Sequence, residues 1–449
     1  MRQNDYLRLS SVAIRAHKKR VATVTVITGL LFSVIVAGYF ILQGLENQIF
    51  STLLVSTDGK ILVTTTADLG YCQELAADGE CDQTALVAKM KDTLRHYGGT
   101  PLNRAEASMV WTESGLEFIR INKSFFPHLP NYNGGVPEVL LSIKTAMELA
   151  DVEPAAGEDP ASEKVATIEQ ARAQTLGKVV TDDAGTEYYV TGILPGGMYQ
   201  QSLSLAGIGE AKNPLNFLLS KFTTGVSRNF LLGSAKEASR INGTELKSPG
   251  TILAYFDNVE QAYAYTQDAA HQCTHTEQLF DQCTADLALQ TRTLIGNPLQ
   301  VYETFQNLWQ GYQFLAITLA VIAIIIMVST YGRLIGRDAK IIALYHALGA
   351  TKGQVRLLYF TYLLFLSLIT VVFAMAMGLA FALISSLINL EPLHQVFAIS
   401  LGFATRDIWL VGWNWALIML AGCILLAPLI TIVLQNGQFN SKNLSRELK

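Results

Sequence analysis

From Leu357 to Leu390 the chain runs for 34 residues without an Asp, Glu, Lys or Arg. A helix needs only about 20 apolar residues to cross a bilayer, so this run has to be met by lipid or by other apolar helices. Directly before it stands a short basic segment, RDAKIIALYHALGATKGQVR, from Arg337 to Arg356. A long apolar span entered from a small basic segment confines the chain to the membrane. It also leaves little mass on that side, so whatever the basic segment meets there is another chain.

Three further segments are of the same kind. Val21 to Leu42 and Tyr312 to Tyr331 carry no charge, and a last apolar run extends from Ile408 to about Leu434. The expected organisation is a basic N-terminal segment (1–20), a first span (21–43) and a large domain (44–311). A second span (312–331), a connecting segment (332–356) and a third span (357–390) follow, then a short loop (391–407), a fourth span (408–434) and a tail (435–449). The first apolar segment follows Arg15, Lys18, Lys19 and Arg20, as a cleaved signal peptide also would. Its apolar core exceeds the roughly 7–15 residues of a signal h-region and no small-x-small site follows, so it reads as an uncleaved anchor.

Charge orients the spans. Residues 1–20 hold six Lys/Arg against Asp5, residues 332–356 hold five against Asp338, and the tail holds three against Glu447. The loop 389–407 has only Arg406 against Glu391 and Asp407. The positive-inside rule then sets both termini and the second-to-third connection in the cytoplasm, with the large domain outside a cell membrane. Trp309, Trp409, Trp413 and Trp415 fall at the outer ends of their spans, where an interfacial aromatic belt is expected. The outer region 44–310 carries 18 Lys/Arg against 32 Asp/Glu, a net of −14 hidden beneath a whole-chain charge of −4. Solubility alone accounts for that acidity, and no nucleic acid is expected as a partner.

The outer region is long enough to bury a core of its own. Ile61–Thr66, Val139–Ile143, Glu187–Leu194 and Thr251–Phe256 are β-branched and aromatic runs bounded by Gly, Pro or Asp, the pattern of strands. Ala85–Tyr97 and Ser162–Leu176 carry apolar residues at helical spacing. Asn258 is placed to cap another helix. Asp286–Gln313 reads as a stalk helix entering the second span, bent at Gly296 and Pro298, and Asp151–Ser162 as an internal loop. The fold class expected is a membrane protein of four transmembrane helices, one plus three, with a large α+β domain inserted after the first.

Cys72 and Cys81 lie nine apart and Cys273 and Cys283 ten apart, all in the outer region, while Cys423 lies in the fourth span. Two close pairs in an oxidising compartment point to two local disulfides. The competing reading is a metal site built from His271, His275, Cys273 and Cys283, which an oxidising compartment disfavours, and no metal is expected. No phosphate loop, G-x-S-x-G elbow or H-E-x-x-H occurs. The chain is therefore read as non-catalytic, with no catalytic residues and no cofactor of its own. The expected spans hold no ionisable residue of the kind an ion pathway uses.

The connecting segment carries the functional signal. On a helix over 338–348, Ile341, Leu344, Tyr345 and Leu348 share one face, with Asp338, Lys340 and His346 away from it. Gly349 suits the position that ends such a helix, and Thr351 the cap of the next. A short amphipathic helix between two spans can seat in a groove of a soluble partner or lie passively on the inner membrane surface; chemistry alone does not divide these.

The sequence IIALYHALGAT (341–351) followed by Lys352-Gly353-Gln354-Val355 resembles the signature between the second and third spans of the FtsX/MacB-like permeases of ABC transporters. Ala347, Leu348, Gly349 and Ala350 match it directly. The pattern's acidic position falls on Ile341, its Arg on His346, and an acidic position early in the third span on Tyr362. Leu176-Gly177-Lys178 with Tyr189–Leu194 is similar to a strand pair of the MacB-type exterior core. The resemblance implies a non-enzymatic permease subunit. Its coupling residues would be Ile341, Leu344, Tyr345, His346, Leu348, Gly349, Thr351 and Lys352, docked on an ABC ATPase that carries the ATP-Mg. It implies further a second permease copy or paralogue and contact with membrane lipid. The work would be mechanotransmission toward export or extraction of a lipid, lipoprotein, peptide or toxin, with an extracytoplasmic substrate-binding or cell-wall partner. The alternative is a non-transporting scaffold that regulates a cell-wall hydrolase through its exterior domain.

Overall fold

The computed structural model describes residues 18–67, 83–130, 132–152, 169–194, 227–234, 241, 244–245, 250–271, 289–388 and 411–436. In chain order the elements are α1 (Lys18–Leu53), β1 (Ile61–Ala67), α2 (Gln83–His96), β2 (Thr100–Pro101), β3 (Ala107–Trp111), β4 (Glu117–Ile121), β5 (Glu138–Ser142) and α3 (Ile143–Leu149). Then come β6 (Val179–Thr181), β7 (Glu187–Leu194), β8 (Asn229–Leu232), β9 (Thr244–Glu245), β10 (Thr251–Phe256), α4 (Val259–His271) and β11 (Leu289–Thr293). The chain ends with α5 (Pro298–Arg337), α6 (Ala339–Ala347), α7 (Lys352–Ile388) and α8 (Ala416–Leu434). The described residues form two compact units: a helical unit of 18–48, 307–388 and 411–436, and a sheet unit within 49–306.

In the helical unit, four helices among the described residues are long and apolar enough to cross a membrane: α1 over Thr25–Ser51, α5, α7 and α8. This is a membrane protein. At ~1.5 Å rise per residue, the 36 residues of α1 and 40 of α5 measure ~54 and ~60 Å, about twice the hydrocarbon thickness. The helices pack through small residues, as helices in lipid do. A Cβ on Gly378 of α7 would come within 2.5 Å of Val36 of α1, and one on Gly29 within 2.4 Å of Phe373. Tyr331 of α5 and Ser367 of α7 hydrogen-bond at 3.0 Å, both buried. The widest backbone approach between two helices is that of α7 and α8. The fourth helix begins at Ala416 and not near residue 408 as expected. Residues 411–414 are non-helical: Gly412 donates its N–H to Phe40 O at 2.9 Å, and the Asn414 side chain takes the Ala416 N–H at 2.8 Å.

The sheet unit is α+β. Among the described residues a four-stranded sheet has the order β11-β1-β10-β2, and a mixed seven-stranded sheet the order β6-β7-β5-β8-β4-β3-β9. Side chains alternate across a strand, and here both faces find a core. Ile61 and Val63 of β1 pack with Ile252, Ala254 and Phe256 of β10 against Met90 and Leu94 of α2 and Ala262 and Tyr265 of α4. Leu62 and Leu253 face the other way, onto Ile119, Ile121, Leu140, Phe230 and Leu232 of the larger sheet. That sheet's opposite face gives Val139, Leu141, Val190 and Leu231 to Ile143 and Ala146 of α3. Buried on both sides, β5 carries Val139, Leu140 and Leu141 in succession at its centre, as covered strands do. It stops at Ser142, whose hydroxyl accepts the Thr145 N–H at 3.2 Å and caps α3.

The expected stalk helix over Asp286–Gln313 is corrected. Residues 289–293 are strand β11, whose Val63↔Thr293 and Thr65↔Thr291 pairs join it to β1. Gly296 then turns the chain at φ +57°. α5 starts at Pro298, where a missing N–H costs nothing, and the Gln300 N–H reaches Asn297 Oδ1 at 3.3 Å. Cys72, Cys81, Cys273, Cys283, His275, most of the Asp151–Ser162 loop and the side chain of His271 lie outside the described residues. Cys423 of α8 is free and exposed.

Candidate functional site

The segment between α5 and α7 is set by its turns. After Arg337 the chain leaves α5 at Asp338, whose carbonyl accepts the Ile342 N–H at 2.9 Å and starts α6. The side chain of Asp338 does not cap the helix; it receives the Tyr359 hydroxyl of α7 at 3.3 Å. At the other end, Ala350 N–H bonds Tyr345 O and Gly349 N–H bonds His346 O, both at 3.0 Å. Those two bonds are the Schellman closure of a helix. It needs a left-handed residue, and Gly349 supplies φ +87°. The next helix opens at once. Thr351 Oγ1 lies 3.4 Å from the Gln354 N–H, and Gln354 Oε1 takes the Thr351 N–H at 2.9 Å. That reciprocal pair is a capping box.

Between these turns α6 has two faces. Ile342 and Ala343 are buried, with Val355 and Leu358 of α7 also buried beyond the turn. Ile341, Leu344 and Leu348 are 41, 60 and 76% exposed and form an apolar ridge at three- and four-residue spacing. Of the residues expected to act together, those three make the ridge and Tyr345 lies half-buried at its side. His346 is turned away: its Nδ1 sits 3.0 Å from Ala350 O. A carbonyl only accepts, so Nδ1 carries the proton, and His346 helps to close the turn. Gly349 and Thr351 shape the exit, and Lys352 stands half-buried in the first turn of α7. Arg333, Arg337 and Lys340 are exposed on the same segment. Sequence reasoning missed Gln354 and Asp338; the T-x-x-Q spacing of 351–354 was the signal for the first.

An apolar ridge, on a helix closed at its C-terminal end by the Gly349 turn and accompanied by the exposed Arg333, Arg337 and Lys340, can be gripped by a partner's groove. It holds no nucleophile, acid–base pair or phosphate-binding loop. Residues 313–434 match the FtsX-like permease C-terminal family model. That C-terminal part of the chain is an FtsX-like permease domain. The matched stretch takes in nearly all of the membrane part of α5, all of α6 and α7, and α8. No curated protein matches the chain. An FtsX-like permease is the membrane component of an ABC-type system, and the family generally works with an ABC ATPase.

Trp309 corrects a second expectation. It is buried and donates its indole N–H to Glu46 at 2.7 Å, so it is no lipid-facing belt residue. Trp413 and Trp415 are exposed, as such a belt requires. Glu46 lies within the apolar stretch Thr25–Ser51 of α1, three residues beyond the expected span 21–43.

Proposed function

We propose that this FtsX-like permease is the non-catalytic subunit of an ABC system that works by mechanotransmission. A separate ATPase, holding the ATP-Mg, grips the ridge of Ile341, Leu344 and Leu348. The termini and 332–356 lie in the cytoplasm, and 44–311 lies outside the cell membrane, as the excess of Lys/Arg in the former segments supports. A second permease copy or paralogue completes the assembly. Nucleotide-driven motion at α6 passes along the membrane helices and is used outside, on a lipid, lipoprotein, peptide or toxin. α1 and α5 each have residues in both units, which makes them the carriers of that motion. The ridge is the observation that carries this reading: three large apolar side chains stand exposed on a helix whose other face is anchored.

Co-purification with the ATPase is the test. Leu344→Asp with Leu348→Asp puts two charges into the groove contact and is expected to abolish the complex, while Lys340→Ala weakens it little. The two Leu are exposed, so the chain itself keeps its fold. A complex that survives the double change intact would show that α6 is not the docking element.

A further inference from the structure

Four side chains tie three elements together near the Ser51 end of the first membrane stretch. Glu46 Oε2 accepts Trp309 Nε1–H at 2.7 Å and Gln43 Nε2–H at 3.2 Å. Gln43 Oε1 in turn accepts Asn414 Nδ2–H at 2.8 Å. α1, α5 and the lead-in to α8 are thereby joined by a chain that begins at one carboxylate oxygen. Beside it, Gly412 N–H bonds Phe40 O at 2.9 Å, and a Cβ on Gly412 would lie 2.6 Å from the α1 backbone. Tyr39 fills the space behind, stacked on Trp309 at 5.8 Å and edge-on to Tyr312 at 5.1 Å.

The chemistry of this joint differs from that of the packing around it. Glu46 is half-buried, its carboxylate held by a donor from α5 and one from α1, whereas an apolar side chain would hold a permanent joint at least as well. A joint of a few side-chain hydrogen bonds is strong enough to favour one state and weak enough to be reversed. α7 and α8, by contrast, are held by extended backbone approach.

We propose that Glu46 is the hub of a releasable latch, with Gln43, Trp309 and Asn414 as its arms, that holds α1, α5 and the start of α8 together in one state and lets them part in another. The release arm rests on the permease reading; the hub itself does not. Hydrogen–deuterium exchange on the full-length chain in nanodiscs tests both. Glu46→Met keeps length and removes the acceptors, while Glu46→Gln keeps an oxygen that can accept. Exchange of the Gly412, Ala416 and Leu417 amides is expected to rise about tenfold in Glu46→Met, as loss of one charge-assisted bond implies, and to stay near wild type in Glu46→Gln. Asn414→Ala, which leaves the carboxylate and Trp309 in place, is expected to raise exchange at Gly412 and Leu417 (Ala416 is left out because its N–H bonds the Asn414 side chain itself), and serves if Glu46→Met does not fold. Wild-type exchange in the Glu46→Met and Asn414→Ala chains would overturn the hub. With the partner ATPase bound and ATP trapped, the same amides of the wild-type chain are expected to lose protection. Unchanged protection in that complex would make the network a fixed joint and overturn the latch. Absence of any ATPase complex would count against the permease reading, and the hub would still be decided by the first arm.

Discussion

In the sheet unit, buried polar side chains pin one piece of chain to another; in the helical unit, several threonine hydroxyls turn back on their own helix. Arg120, 1% exposed, reaches Ser108 Oγ at 3.0 Å, Ala105 O at 3.1 Å and Arg104 O at 2.6 Å, so one guanidinium holds the neighbouring strand and the loop before it. Asp182 links two turns: it accepts Ser114 Oγ–H and Tyr188 Oη–H, each at 2.7 Å, and the N–H groups of Ala184 and Thr186. In the membrane helices, Thr318, Thr330, Thr361 and Thr431 give their hydroxyls to carbonyls four residues back. Such bonds satisfy a hydroxyl in lipid without fixing one helix to the next. The contrast teaches where motion is cheap. The sheet unit is stapled, while the described helices are joined at particular cross-links, Tyr331–Ser367 and the Glu46 joint among them.

The largest effect that would break this comparison is at Arg120. Arg120→Ala leaves two backbone carbonyls without their donor and a cavity behind them, and about 4 kcal/mol of unfolding free energy should be lost in denaturant titration of the full chain. An effect below about 1 kcal/mol would mean the sheet unit is not stapled there.

Asp182 sharpens the comparison through pH. Burial pushes its carboxyl up, but the hydrogen bonds from Ser114, Tyr188, Thr186 and Ala184 together outweigh that and hold it below the usual carboxylate range. Burial first, and then the bond to that carboxylate, pushes the Tyr188 phenol up. A depressed folded pKa means that the stabilisation is complete above the unfolded value of about 3.9 and disappears as pH falls through the lower folded value. Asp182→Asn should therefore cost about 2 kcal/mol at neutral pH and flatten the loss of stability below about pH 4. Parallel pH profiles for variant and wild type would remove Asp182 from the account.

Smaller effects are expected in the helical unit. Gly349→Ala forces a Cβ onto a residue at φ +87°, a strain of about 1 kcal/mol, read as a shift of the α6 amides toward faster exchange. Thr431→Val, which removes a hydroxyl bonded only within the turn of its own helix, should change stability by less than about 0.5 kcal/mol. A loss as large as that at Asp182 would erase the distinction between the two units.

The same contrast decided what could be read from the sequence. Apolar helices were legible because lipid demands unbroken runs. Strands β1, β5, β7 and β10 were legible because each is a β-branched or aromatic run between turn residues, and the α6 turn because Gly349 and Thr351 each have a local reason to be there. The β3–β4 hairpin was marked as well, by Phe118, Ile119 and Ile121 between Gly115 and Asn122, and was missed; the short β8, Asn-Phe-Leu-Leu, has no such marking, and its place comes from register with a distant partner, as in Ile119↔Phe230. The stalk helix was misread because Thr291-Arg292-Thr293 owes its strand to β1, more than 200 residues earlier in the chain. Trp309 was misread as an interface anchor because its partner, Glu46, lies on another helix.

The central claim, that movement at α6 is used by the sheet unit, is met most directly by distance. A spectroscopic label at position 144, an exposed lysine of α3, on each of two permease protomers in the ATPase complex reports on the sheet units as nucleotide is added, trapped and hydrolysed. The expected result is a distance distribution that shifts between the apo and ATP-bound states and returns after hydrolysis, since coupling requires two states that nucleotide weights differently. One unchanged distribution through all three conditions, in a complex that is hydrolysing ATP, would contradict mechanotransmission.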